Sequence, residues 1–321
     1  MLLTRGVLRY FVIRNECNAV LHVGSEPISF VAGRVLPWRG ADLLLMLRTG
    51  TDTGSAMASF ADRLNTLANH LWALTPQSRR PANCAEVRLV AHRGAHGQGP
   101  DGRVLENTLE AFELCLKMGV WGAEMDIHLT RDGEPVVHHD AHCGRLFNRP
   151  DIIIAETNFR DLRLAVPQIP HLDEVLQLNA GRMHLMLEIK ESWRQRSTLP
   201  QRISPWLKSL TPGDDYHLLS LVPDHLEGFN TIPRSAFVDV AEANTAAILR
   251  QNRALQHGAV AGSFALMGAG CLRQLREEGR QVGTGLVENS YVLNREVHRG
   301  VDWVFTDNIL TLLPESTPGK G

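Results

Sequence analysis

Between residues 91 and 140 the chain gathers His92, Arg93, Glu106, Glu124, Asp126, His138 and His139, most of them at the ends of apolar, strand-like runs. Histidines offer a proton donor and a proton acceptor near neutral pH. An arginine offers a planar fork for a phosphoryl group. Carboxylates offer oxygen ligands for a hard divalent cation. A chain that only had to fill a core does not require this set.

Alternation along two runs sorts the candidates. In Glu124-Met125-Asp126-Ile127-His128-Leu129, residues two apart share a face of a strand. Met125, Ile127 and Leu129 then face packing neighbours, while Glu124, Asp126 and His128 face inward. The run Leu185-Met186-Leu187-Glu188-Ile189-Lys190 repeats the pattern, with Glu188 and Lys190 inward at its end. Any one carboxylate could be a solvated strand end, or Glu188 could pair with Lys190. Three inward carboxylates repel one another and resist desolvation, and one divalent cation, Mg²⁺ or Ca²⁺, removes both problems. His92 and Arg93 follow the run 87–91, and His139 follows a short apolar run after the Arg131-Asp132-Gly133 turn. Metal, Arg93 and Lys190 together suit an anionic phosphodiester. Glu106-Asn107-Thr108 opens a helix. Asn107 is expected as its N-cap, with Glu110 at capping-box spacing. Glu106 either points to the site or holds Arg93. His128 is a supporting candidate.

Placing these residues together requires a parallel framework. Strand-like runs at 87–91, 122–129, 184–189, 216–221, 235–240, 259–264, 281–287 and 303–306 alternate with helical patterns at 108–118, 172–178, 203–210, 241–251, 267–278 and 292–299. Gly119, Gly279 and Gly300 stand where left-handed caps end helices. Eight strands in about 225 residues predict a (β/α)8 barrel, with the site at the strands' C-terminal ends. A doubly wound open sheet is the rival, but no glycine-rich loop runs directly from the first strand into a helix. Before the barrel, assigned to 85–321, residues 1–84 read as a small α+β segment. It has strands at 7–13 and 19–23, an apolar run at 41–47, a helix at 56–74 and a Pro/Ser/Arg linker at 75–84. The segment carries no chemical motif.

The bulk properties narrow the function. The chain has 321 residues, 44% hydrophobic content and a net charge of -2, so neither a nucleic-acid partner nor a polybasic membrane anchor is expected. No apolar run is long enough to span a bilayer. Five scattered cysteines and no cleavable leader point to a cytoplasmic protein. Peripheral membrane contact and oligomeric state stay open.

The chain resembles the glycerophosphodiester phosphodiesterase family from about residue 87 to 313. The carrying pieces are His92-Arg93-Gly94, Glu106-Asn107-Thr108, Glu124-x-Asp126 with Leu129-Thr130-Arg131-Asp132-Gly133, and Val137-His138-His139-Asp140. Ile169-Pro170-His171-Leu172-Asp173-Glu174-Val175-Leu176, Glu188-Ile189-Lys190 and the run from Gly300 to Asp307 complete them. The resemblance implies a TIM barrel that hydrolyses glycerophosphodiesters to an alcohol and glycerol 3-phosphate with a divalent metal. It implies His92 and His139 as the acid/base pair, Glu124, Asp126 and Glu188 as metal ligands, and Arg93 and Lys190 as phosphate contacts. It also implies a cyclic phosphate, formed by the glycerol hydroxyl and opened by water. Which histidine is acid and which base is left open. One region departs: where the family carries a tryptophan near a Thr-Val-Asn run, this chain reads Gly283-Thr284-Gly285-Leu286-Val287-Glu288-Asn289. That leaves the alcohol or glycerol contact unassigned. The stretch from Asp140 to Ile169 allows only a small lid. Alternative readings are lysophospholipase D-like or sphingomyelinase D-like activity on lipids, and, more remotely, a non-enzymatic phosphodiester-binding scaffold.

Overall fold

The computed structural model describes residues 19–23, 26–30, 60–83, 87–99 and 102–313. The strand expected at 7–13 and the apolar run at 41–47 lie outside the described residues. The chain divides into two compact units, Met1–Leu67 and Ala68–Gly321. In the first, Ala19–Val23 pairs antiparallel with Glu26–Phe30. The helix Phe60–Ala73 runs from the first unit into the second.

The second unit is built on eight parallel strands: β1 (Arg88–Ala91), β2 (Gly122–Leu129), β3 (His184–Ile189), β4 (Tyr216–Ser220), β5 (Phe237–Ala241), β6 (Ala259–Ser263), β7 (Gln281–Gly285) and β8 (Trp303–Thr306). Each pairs with the next, and β8 pairs back to β1, so the sheet closes. This is the expected TIM barrel; closure excludes the open sheet. Val90, Met186, Leu219, Val238, Ala259, Ala261, Trp303 and Phe305 fill its interior. The alternate residues Met125, Ile127, Leu129, Leu185, Leu187 and Ile189 face the surrounding layer and are buried there.

The outer layer is uneven. Full helices are α1 (Leu109–Met118), α2 (Leu172–Asn179), α3 (Thr245–Leu255), α4 (Ala269–Glu277) and α5 (Ser290–Arg299). The helix expected at 203–210 is instead Leu199–Ile203 followed by a 3-10 turn, Ser204–Leu207. Pro205 breaks the backbone ladder there, as proline must. Between β4 and β5 stand only the 3-10 turns Pro223–Gly228 and Arg234–Ala236. Gly119 and Gly300 cap α1 and α5 in the left-handed conformation, as their positions predict. Between β2 and α2 the short strand Pro135–Val137 turns back on β2. Beyond it, residues 142–165 pack on a small apolar cluster of their own that includes Val136, Cys143, Ile152, Ile154 and Leu162. Among the described residues no helix is long and apolar enough to cross a membrane.

Candidate active site

Strand register assembles the site. Ala91 lies beside Ala123 and Thr306 beside Ala91, so the residues that follow β8 and β1, Asp307 and His92, come level with Glu124 on β2. On the other side of β2, Asp126 lies beside Glu188 on β3. Four adjacent strands thus bring residues from four stretches of sequence to one end of the barrel.

Ligand oxygens of Glu124, Asp126 and Glu188 all lie within 4.8 Å of one another. Glu124 and Asp126 are buried, and Glu188 is half-buried. Glu124 Oε2 accepts from the Arg93 backbone N–H at 2.9 Å, but Oε1 is buried with no hydrogen-bond partner. Such an oxygen is costly to bury. Burial, with Asp126 next to it, pushes the Glu124 carboxyl above the usual carboxylate range, and burial and Asp126 push Glu188 up as well. Asp126 resists burial and is held low, because Lys190 and Arg93 stand beside it. Lys190 Nζ lies 2.9 Å from Asp126 Oδ1 and 3.0 Å from Glu188 Oε1. Three oxygen donors, one of them unpaired, make a cage that could hold a hard divalent cation.

Both candidate histidines are backed by a carboxylate. His92 Nδ1 is 2.7 Å from Asp307 Oδ1, which leaves Nε2 facing the cage, 3.8 Å from Glu124 Oε2. Burial disfavours the charged ring, but Asp307 and then Glu124 outweigh it and raise the His92 pKa to about 9. His139 Nδ1 is 2.7 Å from Asp140 Oδ1, and here burial prevails and lowers the ring's pKa. His138, by contrast, is buried against the small cluster, with its ring 5.7 Å from that of Phe147 and Nε2 at 3.4 Å from the His142 carbonyl.

Arg93 sits in the turn that leaves β1, with φ 57°, followed by Gly94 at φ 79°. A Cβ on Gly94 would come within 2.9 Å of Ala111 Cβ on α1, so the turn presses against that helix. Arg93 Nη1 donates to Glu106 Oε1 at 2.9 Å, and its Nε lies 3.6 Å from Asp126 Oδ2. Of the two readings of Glu106, the structure shows the one that holds Arg93. Glu106 also accepts twice from Arg145, and those bonds, with Arg93, hold it down to about 2 against the burial that opposes its charge.

Asn107 is not the N-cap. Thr108 is, its hydroxyl accepting from Ala111 N–H. Asn107 instead adopts φ 57° and donates from Nδ2 to Asp126 Oδ2 at 2.7 Å, while its Oδ1 accepts from the Asp126 N–H. His128 stays outside the cage. Its Nε2 is 3.2 Å from the His139 carbonyl and its Nδ1 is 3.4 Å from Glu191, beneath the loop that carries His139. Arg145 donates from Nε to Asp140 Oδ2 at 2.7 Å, so a continuous chain runs from Arg93 through Glu106, Arg145 and Asp140 to His139. Sequence alone gives no site role to Asp307, Arg145 or Asn107, which it reads as an N-cap; only the strand end before Asp307 and the Glu106-Asn107-Thr108 run signal two of them.

The model of the "Glycerophosphoryl diester phosphodiesterase family" matches residues 92–311. A glycerophosphodiester phosphodiesterase of Bacillus altitudinis is 32% identical over 115 residues, which cover 32% of this chain and 44% of that protein. The chain thus spans less than half the length of the curated relatives it matches. The crystal structure of a Thermotoga maritima glycerophosphodiester phosphodiesterase superposes with a TM-score of 0.59 at 23% identity, covering 72% of this chain and 97% of that one. An Oleispira antarctica phosphodiesterase, solved with the product sn-glycerol-3-phosphate, gives a TM-score of 0.60 at 23% identity, covering 69% of this chain and 93% of that one. These two likenesses establish the fold.

Proposed function

Because the chain belongs to the glycerophosphoryl diester phosphodiesterase family, we propose that it hydrolyses glycerophosphodiesters to an alcohol and sn-glycerol 3-phosphate, with one divalent cation and two histidines. The observation that carries this reading is the unpaired Glu124 Oε1 in a cage of three carboxylates, with the His92 ring, Arg93 and Lys190 around it. Glu124, Asp126 and Glu188 would hold the cation. Bound there, Mg²⁺ or Ca²⁺ supplies positive charge that offsets the carboxylates and polarises the phosphoryl group.

The chain's own groups do the rest. Arg93 and Lys190 present cations to the phosphoryl oxygens, where charge builds up as phosphorus is attacked. His92 and His139 each turn Nδ1 to a carboxylate, which fixes the ring and leaves Nε2 to move a proton. In the first step the glycerol hydroxyl of the substrate attacks phosphorus. One histidine takes its proton, the other protonates the departing alcohol, and a cyclic phosphate forms. Water then opens the ring with the two proton roles exchanged. Glu106 holds Arg93 from behind, and His128 supports the loop of His139. We take the substrate to be a small molecule handled in the cytoplasm, in keeping with a net charge of -2 and scattered cysteines. We take the module read at residues 1–84 to end near Leu67, where the first compact unit ends.

The test is release of glycerol 3-phosphate from glycerophosphocholine and glycerophosphoethanolamine, with lysophosphatidylcholine as the lipid comparator. EDTA should abolish it, and added Mg²⁺ or Ca²⁺ should restore it. Turnover untouched by chelation and by His139→Ala would overturn the mechanism. Turnover of the lysolipid alone would shift the reading to a lysophospholipase D.

A further inference from the structure

A buried amide upstream of the family match reaches the back of the site. Asn69 lies in the helix Phe60–Ala73 and is fully buried. Its Nδ2 donates to the Leu286 carbonyl at 3.0 Å, and its Oδ1 accepts from the Glu288 N–H at 2.9 Å. The side chain thus pairs with the loop backbone as a neighbouring strand would. That loop leaves β7 at the end of the barrel where His92 and the carboxylates lie. Its sequence is also the one that departs from the family.

The other side of the same loop is bonded to the end of β8. Thr306 Oγ1 donates to the Val287 carbonyl at 2.6 Å, and Val287 N–H donates to Phe305 O at 3.0 Å. Asn308 Nδ2 donates to the Glu288 carbonyl at 3.2 Å. Asp307, which orients His92, stands between Thr306 and Asn308. The loop is therefore held between Asn69 on one side and the backbone that carries Asp307 on the other. The helix end that supplies Asn69 is itself fixed. Ser78, buried in the following turn, bonds the Trp72 carbonyl, and Asn294 and His298 on α5 bond the carbonyls of Ser78 and Arg80.

We infer that Asn69 is a positioning residue for the reaction: it holds residues 286–288 against the end of β8, and through them sets the Asp307 carboxylate that orients His92. The inference rests on the proposed role of His92. It also makes the stretch just before the family match part of the catalytic unit.

The experiment uses the full chain with Asn69→Ala and Asn69→Asp. Three quantities are measured: Tm, kcat and KM on glycerophosphocholine per folded molecule, and the low-field ¹H NMR signal of the His92 Nδ1–H, identified by its loss in His92→Gln. With Asn69→Ala, kcat should fall roughly 10- to 100-fold, the scale of losing a group that orients a catalytic residue. KM should hardly move, and the His92 signal should shift or broaden. A folded variant with wild-type kcat and an unchanged signal would overturn the inference, leaving Asn69 a structural clamp that moves Tm alone. If Asn69→Ala does not fold, Asn69→Asp carries the same two outcomes, since it keeps the oxygen that Glu288 N–H needs. If the wild type shows no turnover, the proposed function fails, and the His92 signal still decides the role of Asn69.

Discussion

Two buried charge clusters lie in the same barrel and are finished differently. On the flank, His257 sits between Asp239 Oδ1 at 2.8 Å and Glu227 Oε1 at 3.0 Å. Asn252 donates to Asp239 Oδ2, and Arg234 donates to Glu227 Oε2. Every carboxylate oxygen there has a partner within the chain. At the mouth, Glu124 Oε1 has none, and Asp126 and Glu188 share a single lysine. A folded chain normally satisfies its buried polar groups. The flank does so for all four of its carboxylate oxygens, although Asn252 Oδ1 beside them is buried without a partner. The mouth, by contrast, leaves a carboxylate oxygen open where the proposed cation would sit.

The comparison predicts opposite responses to neutralisation, and the largest is at the mouth. Glu124→Gln keeps the shape and an oxygen for the Arg93 N–H, but removes one cage ligand. Turnover should fall about a thousandfold. The metal-free protein should gain about 1 kcal/mol, roughly 2–4 °C in Tm, because a carboxyl that burial and Asp126 disfavour in its charged form gives way to a neutral amide. Addition of Mg²⁺ or Ca²⁺ should raise the Tm of the wild type and not of the variant. Thermal scans with and without metal check this. A variant that loses stability and keeps its turnover would put the mouth in the same class as the flank.

The flank should answer the other way. Both nitrogens of His257 face carboxylate oxygens, so both need protons and the ring is held as an imidazolium. Burial alone would lower its pKa, but the bonds to Asp239 and Glu227 raise it. A raised folded pKa stabilises fully below the unfolded value of about 6.5, and that stability is lost as pH rises through the folded value. Removing one partner of a buried pair typically costs about 3–5 kcal/mol. His257→Gln should therefore lower Tm sharply at pH 5.5, with a smaller penalty at pH 9 and unchanged kcat per folded molecule. A penalty that grows with pH would contradict the charged ring.

Arg145 lies between the two extremes. It bridges Glu106 and Asp140 and is 37% exposed, so little folding energy rests on it. Its loss frees Glu106, which holds Arg93, and Asp140, which orients His139. Arg145→Met should lower kcat about tenfold with a small change in Tm. Arg145→Lys should recover only part of it, because one ammonium cannot span both carboxylates as the guanidinium fork does. Steady-state kinetics with paired Tm values test both variants.

What could be read from sequence follows from range of contact. The inward face of β2 and β3 is legible because alternation is local, and alternation alone puts Glu124, Asp126, Glu188 and Lys190 on it. Strand order and the left-handed glycines at 119 and 300 were legible for the same reason. Asp307, Arg145 and Asn69 were not. Their partners lie 215, 39 and 217 residues away, and no periodicity reports such pairs. The helix at 203–210 was misplaced because apolar spacing outweighed Pro205, whose missing N–H decided the backbone.

The neighbours Asn107 and Thr108 put the smallest difference to the test. Sequence points to Asn107 as the opener of α1, and only tertiary contact passes that role to Thr108. Thr108 caps the helix, so Thr108→Ala should cost about 1 kcal/mol and leave kcat alone. Asn107 spends its amide on Asp126, both accepting from its N–H and donating to its carboxylate. Asn107→Gly fits the positive φ better than Ala would, yet it removes that hold. The glycine variant should keep the fold while losing roughly tenfold in turnover and weakening apparent metal affinity, since groups that orient a ligand carry effects of that size. Equal behaviour of the two variants, both in Tm and in metal titration, would mean that Asn107 serves the helix and not the cage.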